Sequence, residues 1–285
     1  MSTPRVEVRY QFFPTAWDTG VSRRVFELLI GPNKLYPATR WSNEGKKKLP
    51  EDDVIEWLTE WYEASFKGNR IPLFTDHGSD QYHFDLLRSE WGDHSLLGQL
   101  LHWPKHLDLI VPAEQATKAK SIQAITEVAV ITDAPLVPID FRPSRKVETI
   151  TLESRREMSR VVKGTIHAHA AAGPWRGLHR IPWRLILGRH IVSTIGEGRL
   201  RNLPAEQAID HGNGFWTLQT TTEPAESISQ RGREAERDII ATLGEEFFAA
   251  TDRNELAKVK PAFPPDLVPD DGRLFEKYGE RLKPL

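Results

Sequence analysis

The sequence contains no cysteine. Disulfides, thiolate nucleophiles and cysteine-ligated metals are thereby excluded. No apolar run approaches the length of about 18 residues that a membrane-spanning helix needs. The opening segment, residues 1–13, is polar and strand-like. It lacks the apolar core and small-residue cleavage site of a secretory leader, which predicts a cytoplasmic protein without membrane contact. Reaction signatures are missing as well. There is no Gly-x-Ser-x-Gly elbow, no phosphate loop ending in Gly-Lys-Ser/Thr and no Gly-x-Gly-x-x-Gly fingerprint. Gly196-Glu197-Gly198 lacks the third glycine, and Asp270-Asp271-Gly272 lacks the rest of a calcium loop. No cofactor is expected.

What remains is the composition of a globular protein. Hydrophobic residues make up 39% of the chain and charged residues 27%. A length of 285 residues allows one large domain or two small ones. The net charge of -2 is unevenly spread. Residues 71–140 hold 4 basic and 10 acidic side chains, whereas residues 141–201 hold 13 and 4. The central stretch is either a basic patch for an acidic partner or a region neutralised by its acidic flanks in the fold.

Local patterns predict α+β architecture: mixed or antiparallel sheets with packed helices, divisible into two subdomains. Val6, Val8, Tyr10 and Phe12 alternate with polar residues, as in a half-buried strand. Residues 22–30 read as a helix stopped by Gly31-Pro32, and residues 31–50 as a loop. Pro50 suits a first helical position, with Glu51, Asp52 and Asp53 in the first turn. Alternation around Phe84 and around Leu109 predicts two strands. A helix over 113–125 is followed by a β-rich segment, 128–131. Pro135 and Pro138 confine the next extended piece to an edge or irregular strand. Residues 141–144 read as a turn, and a helix is expected within 150–170. Residues 184–195 predict two short elements joined by a glycine turn. Asn213-Gly214 predicts a hairpin, and residues 227–249 a helix. The expected divisions are an N-terminal α+β subdomain over 1–145, a second over 146–257, and a Pro- and charge-rich tail over 258–285.

Several constellations invite a chemical reading. His102 and His106 are spaced like zincin ligands, but Trp103 and Pro104 break that pattern. His167 and His169 would share one side of a strand, with His77, His83 and His94 elsewhere, yet nothing brings a third ligand to them, so no metal is assigned. Asp76, His77, Asp80 and Asp85 form a polar cluster that suits either a hydrolase or a solvent-facing loop. Arg145, Lys146, Arg155, Arg156, Arg160 and Lys163, then Arg176, Arg180, Arg184 and Arg189 with Trp175 and Trp183 among them, allow a nucleic-acid reading. Trp175, Arg176 and Arg180 lie in a glycine-flanked loop and are residue types favoured at protein-binding hot spots. Trp175 can equally fill a small core. The candidate protein-binding residues are therefore Trp175, Arg176, Arg180, Asp76, Asp80 and Asp85.

The segment Ile181-Pro182-Trp183-Arg184-Leu185-Ile186-Leu187-Gly188 continues to Gly196-Glu197-Gly198-Arg199-Leu200 and Leu203-Pro204, then to the Trp216 strand. With the opening strand and the Trp-containing helix over 51–66, it resembles bacterial immunity proteins of polymorphic-toxin and type VI secretion systems. That resemblance implies a cytoplasmic, non-enzymatic binder that occludes the active site of a cognate toxin. Against a nuclease toxin, acidic mimicry would favour the region 71–140 as the contact surface. An uncharacterised hydrolase and a nucleic-acid-binding protein remain the alternatives.

Overall fold

The computed structural model describes residues 4–12, 19–31, 33–37, 40–41, 47–48, 50, 52–64, 70–74, 83–87, 105–142, 177–249 and 257–264. Its elements in chain order are β1 (Arg5–Phe12), α1 (Thr19–Leu29), β2 (Arg40–Trp41), β3 (Lys47–Lys48), α2 (Val54–Ala64), β4 (Arg70–Phe74), β5 (His83–Leu87) and β6 (Lys105–Pro112). Then come α3 (Ala113–Ala116), α4 (Ala119–Ile131), β7 (Leu136–Arg142), β8 (Arg184–Leu187), α5 (Arg189–Ile195) and α6 (Glu197–Arg201). The chain continues with β9 (Gln207–Asp210), β10 (Trp216–Gln219) and α7 (Gln230–Leu243), flanked by 3-10 turns at 224–228 and 245–247. The ten strands form one sheet in the order β3-β2-β4-β5-β6-β1-β7-β8-β10-β9. Every ladder in it is antiparallel. This is the α+β class that the sequence predicts.

The alternation in β1 sends Val6, Val8 and Tyr10 into a core shared with α1, α2 and α4. All three are fully buried, worth roughly 1.5–3 kcal/mol for each large apolar side chain. Tyr10 donates its hydroxyl proton to the Ile125 carbonyl at 3.2 Å, which satisfies the polar end of a buried ring. Burial pushes its pKa well above the ordinary tyrosine value.

A second core lies on the other face of the sheet at the β8–β10 end. Leu185 and Leu187 of β8 and Trp216 and Leu218 of β10 pack there with Ile239 and Leu243 of α7. Ile186, one residue out of phase, belongs to the first core. All eight residues of β8 and β10 are buried because both faces of these strands are covered. The β9–β10 hairpin turns through Asn213 at φ 52° and Gly214 at φ 79°, the left-handed region that such sequences favour.

Four local expectations are corrected. Helix α4 runs through residues 128–131, which were expected to be extended. Ser121, Ile125, Val128 and Ala129 form its buried stripe, and packing of that stripe overrides the β propensity of the valines and isoleucines. Strand β7 is central, between β1 and β8, although Pro135 precedes it and Pro138 lies within it. Pro138 pairs with Leu185 of β8, and the β1 ladder skips Val137 and Pro138 without a change of register. The missing N–H therefore falls where no β1 partner is engaged. Helix α2 begins at Val54 rather than at Pro50, because Asp53 adopts φ 59° and breaks the turn ahead of it. The helix expected over 227–249 is interrupted at both ends. Ser229 caps α7 by accepting from the Gly232 N–H at 3.2 Å, and Gly244 at φ 110° closes it. Ile228 is consequently left exposed.

The expected helix within 150–170 lies outside the described residues. Two short strands, β2 and β3, occupy part of the predicted loop 31–50. The start of the tail follows the protein surface, where the Ala262 N–H donates to the Thr194 hydroxyl at 3.2 Å.

Candidate functional site

Alternation along β1 leaves Arg5, Glu7 and Arg9 on the face opposite its core residues. Strands on either side add further charge. Glu7 pairs in register with Asp140 of β7, and Arg9 with Asp108 of β6. Asp108 in turn lies opposite Asp85 of β5. Four adjacent strands, β5, β6, β1 and β7, thus carry charged residues in neighbouring register rows.

The described side chains on this face are tied together. The Glu7 carboxylate, largely buried, accepts from Arg9 at 3.2 Å and from the Arg142 Nε at 2.7 Å. Arg180 reaches over from the segment before β8. Its guanidinium lies 3.1 Å from Asp140 Oδ1 and 3.9 Å from Glu236 Oε1 of α7. Glu236 also accepts the Ile181 N–H at 2.9 Å, which fixes the course of the chain beside Arg180. Arg180 remains 44% exposed at its side chain, so a second molecule can still reach it. Ion pairs of this exposure contribute only about 0–1 kcal/mol to folding. Their effect is to hold the guanidinium in one orientation.

Burial pushes the Glu236 carboxyl pKa up from 4.5, with Arg180 and the Ile181 N–H opposing the shift and Asp140 adding to it. A raised folded-state pKa contributes stability that is fully present below about 4.5 and lost as pH rises through the folded value. Replacing Glu236 with Gln is expected to flatten this component of the pH dependence, measured as urea midpoints across pH 4–7 (roughly the carboxylate titration range). An unchanged pH profile in E236Q would show that the carboxyl titrates normally.

Of the sequence-predicted contact residues, Arg180 is at this site and Asp85 occupies a register row with Asp108 and Arg9. Asp76, Asp80, Trp175 and Arg176 lie outside the described residues, as do His77, His94, His102, His167 and His169. Sequence reasoning missed Glu7, Asp140, Arg142 and Glu236. The available signal was the charged half of the β1 alternation, Arg5-Glu7-Arg9, in a strand that proves central.

The described part of the basic stretch is mostly neutralised within the fold. Arg142 meets Glu7, Arg180 meets Asp140 and Glu236, and Arg189 meets Asp133. Arg199 meets Glu246, and Arg201 meets Glu197 and Asp210. Arg184 is buried. Among the described residues, no three His, Asp or Glu side chains are grouped to hold a metal ion. Among them, too, no helix is long and apolar enough to cross a membrane.

No protein-family model and no curated protein matches the sequence. Among solved structures, the fold is similar to that of the Pseudomonas aeruginosa T6SS protein PA0821, with a TM-score of 0.51 and 12% sequence identity. The likeness covers 83% of this chain and 76% of that one. At such identity the similarity is one of fold. The resemblance to type VI secretion proteins drawn from the sequence thus has a weak structural counterpart.

Proposed function

We propose that the chain is a non-enzymatic immunity protein that binds a cognate effector toxin in the cytoplasm and occludes its active site. The observation that supports this reading is the fold shared with a T6SS protein over most of both chains. The charged sheet face supplies a physical means. Side chains anchored on paired strands and braced by ion pairs lose little freedom when a partner docks, so more of the contact energy appears as affinity. Interspersed positive and negative groups select a partner with the complementary pattern and speed its encounter. Arg180 is the central anchor, being exposed, oriented by Asp140 and Glu236, and of a type common at hot spots. Trp175 and Arg176 precede it closely in sequence, and with Asp76, Asp80 and Asp85 they complete the proposed set of contact residues.

The test is co-expression with candidate effector toxins of the source bacterium. Rescue of growth together with a stoichiometric complex is the expected result; continued toxicity with no complex overturns the reading. Within that complex, Arg180→Ala is expected to weaken binding about 30-fold, corresponding to roughly 2 kcal/mol. Arg201→Ala, whose arginine pairs with Glu197 and Asp210 elsewhere on the surface, should leave affinity unchanged. Equal affinities for both variants, measured by calorimetry, would remove the charged face from the interface.

A further inference from the structure

The described sheet ends on one side in β3 and on the other in β9. The two edges are built differently. Strand β3 is two lysines, the short and charged form that discourages another chain from pairing. Strand β9 is Gln207-Ala208-Ile209-Asp210, with neither lysine nor proline. Gln207, Ile209 and Asp210 are exposed. Ile209, at 37%, is one of the few large apolar side chains left exposed among the described residues, with Ile228 and Val259. Among those residues, β9 pairs with β10 alone.

The course of the chain fixes which main-chain groups face outward. The His211 N–H donates to the Phe215 carbonyl at 2.9 Å, so it points toward β10. Across the trans peptide, the Asp210 carbonyl points the other way. Alternation along the strand then sends the N–H and C=O of both Asp210 and Ala208 to the free edge. Those of Ile209 face Thr217 of β10. Nothing among the described residues bonds the outward groups.

We propose that β9 is a self-association edge, on which the β9 of a second copy pairs antiparallel about a twofold axis through Ile209. In that register Ala208 of each copy lies opposite Asp210 of the other. Each such pair exchanges both of its outward main-chain bonds. Ile209 meets Ile209 of the copy at the non-bonded position between them, where side chains approach most closely. The neighbouring registers are worse. Centred on Ala208, the pairing sets Asp210 against Glu206; centred on Asp210, it sets that carboxylate against its own copy. In the proposed register the residue facing Asp210 is the small Ala208. The carboxylate is also turned back to its own chain, accepting the Gly212 N–H at 2.8 Å with Arg201 3.8 Å away. A net charge of -2 leaves little repulsion between copies. A second copy suits this edge because the strand's own pattern supplies both halves of the pairing. The contact is short and belongs to the weak, concentration-dependent class of interface. It is independent of the toxin-binding reading, which uses the charged residues of β1 and β7.

The test is sedimentation equilibrium of the full chain from about 10 μM to about 1 mM. The average molar mass is expected to rise with concentration from 32.5 kDa toward twice that value. Ile209→Lys, which gives β9 the residue type that guards β3, should weaken association at least about tenfold. Ala208→Pro removes an outward N–H and no bond to β10, and should act in the same direction. It decides the matter if I209K does not fold. Ile228→Lys alters another exposed apolar side chain and should leave association unchanged. A monomer mass at every concentration overturns the proposal and leaves the edge to a strand of another protein. Association undiminished in I209K or A208P, or weakened equally by I228K, overturns it as well.

Discussion

Replacing Trp183 with alanine is expected to cost about 3–5 kcal/mol of folding free energy. The ring is 1% exposed and belongs to the core beneath α4. Its Nε1–H donates to the Thr221 carbonyl at 3.0 Å, so the side chain joins the start of β8 to the segment after β10. Truncation opens a void beside an existing cavity and strips the Arg184 guanidinium of the ring against which it lies. Trp183→Phe keeps most of the volume and loses one of the two bonds to the Thr221 carbonyl, which still accepts from Gln219 Nε2 at 2.7 Å. It should cost about 0.5–1.5 kcal/mol. Chemical denaturation of the two variants checks both figures. A loss below about 1 kcal/mol for W183A would show that the ring is not a packing element.

The second large effect is expected at Gly177. This residue has φ 114°, a conformation that side-chain-bearing residues rarely adopt. A Cβ there would lie 2.2 Å from the Ala257 Cβ and 3.0 Å from the Phe247 carbonyl oxygen. The crowding follows from a parallel bridge between Leu178 and Phe248, in which the Leu178 N–H donates to Phe247 at 2.9 Å and the Ala249 N–H to Leu178 at 2.7 Å. Gly177→Ala must strain the backbone and displace the segment carrying Ala257. Together these terms amount to roughly 2–5 kcal/mol. Arg180 is three residues on, so the same substitution should also lower affinity for the proposed partner even where the protein remains folded. A folded G177A variant of unaltered stability would contradict the observed packing.

The features legible in the sequence are those encoded over short spans. The Val6-Val8-Tyr10 alternation gives β1, Asn213-Gly214 gives the β9–β10 turn, and Gly188 separates β8 from α5. Errors arise where neighbours decide. The β2 and β3 strands are two residues each and exist through their pairing with one another and with β4. Pro138 argues against a central strand until the β1 ladder is seen to skip Val137 and Pro138, so that the missing N–H meets no engaged partner while β8 pairs on the other side. Residues 128–131 have strand-like composition, but α4 extends the buried stripe begun at Ser121. The site follows the same division. Arg180 stands out by residue type and loop setting, whereas Asp140 and Glu236 reach it from β7 and α7. No local pattern joins those three residues. Asp85 stands out in sequence by the polar cluster around it, and its register partners are Pro72 and Asp108.

The charge pattern is explained in the same physical terms. A local excess of basic residues in sequence does not make a basic surface when the acidic residues lie across the sheet or on the next helix. Asp133, Asp140, Glu236 and Glu246 are such residues, each meeting an arginine from the central stretch. Apart from the buried Arg184, the described arginines of the stretch are thus paired with carboxylates of the same fold.

The most direct measurement is the activity of the cognate effector toxin titrated with the purified chain. The proposed mechanism predicts inhibition that saturates at one chain per toxin and is weakened by Arg180→Ala but not by Arg201→Ala. Undiminished toxin activity in the presence of excess chain would contradict it.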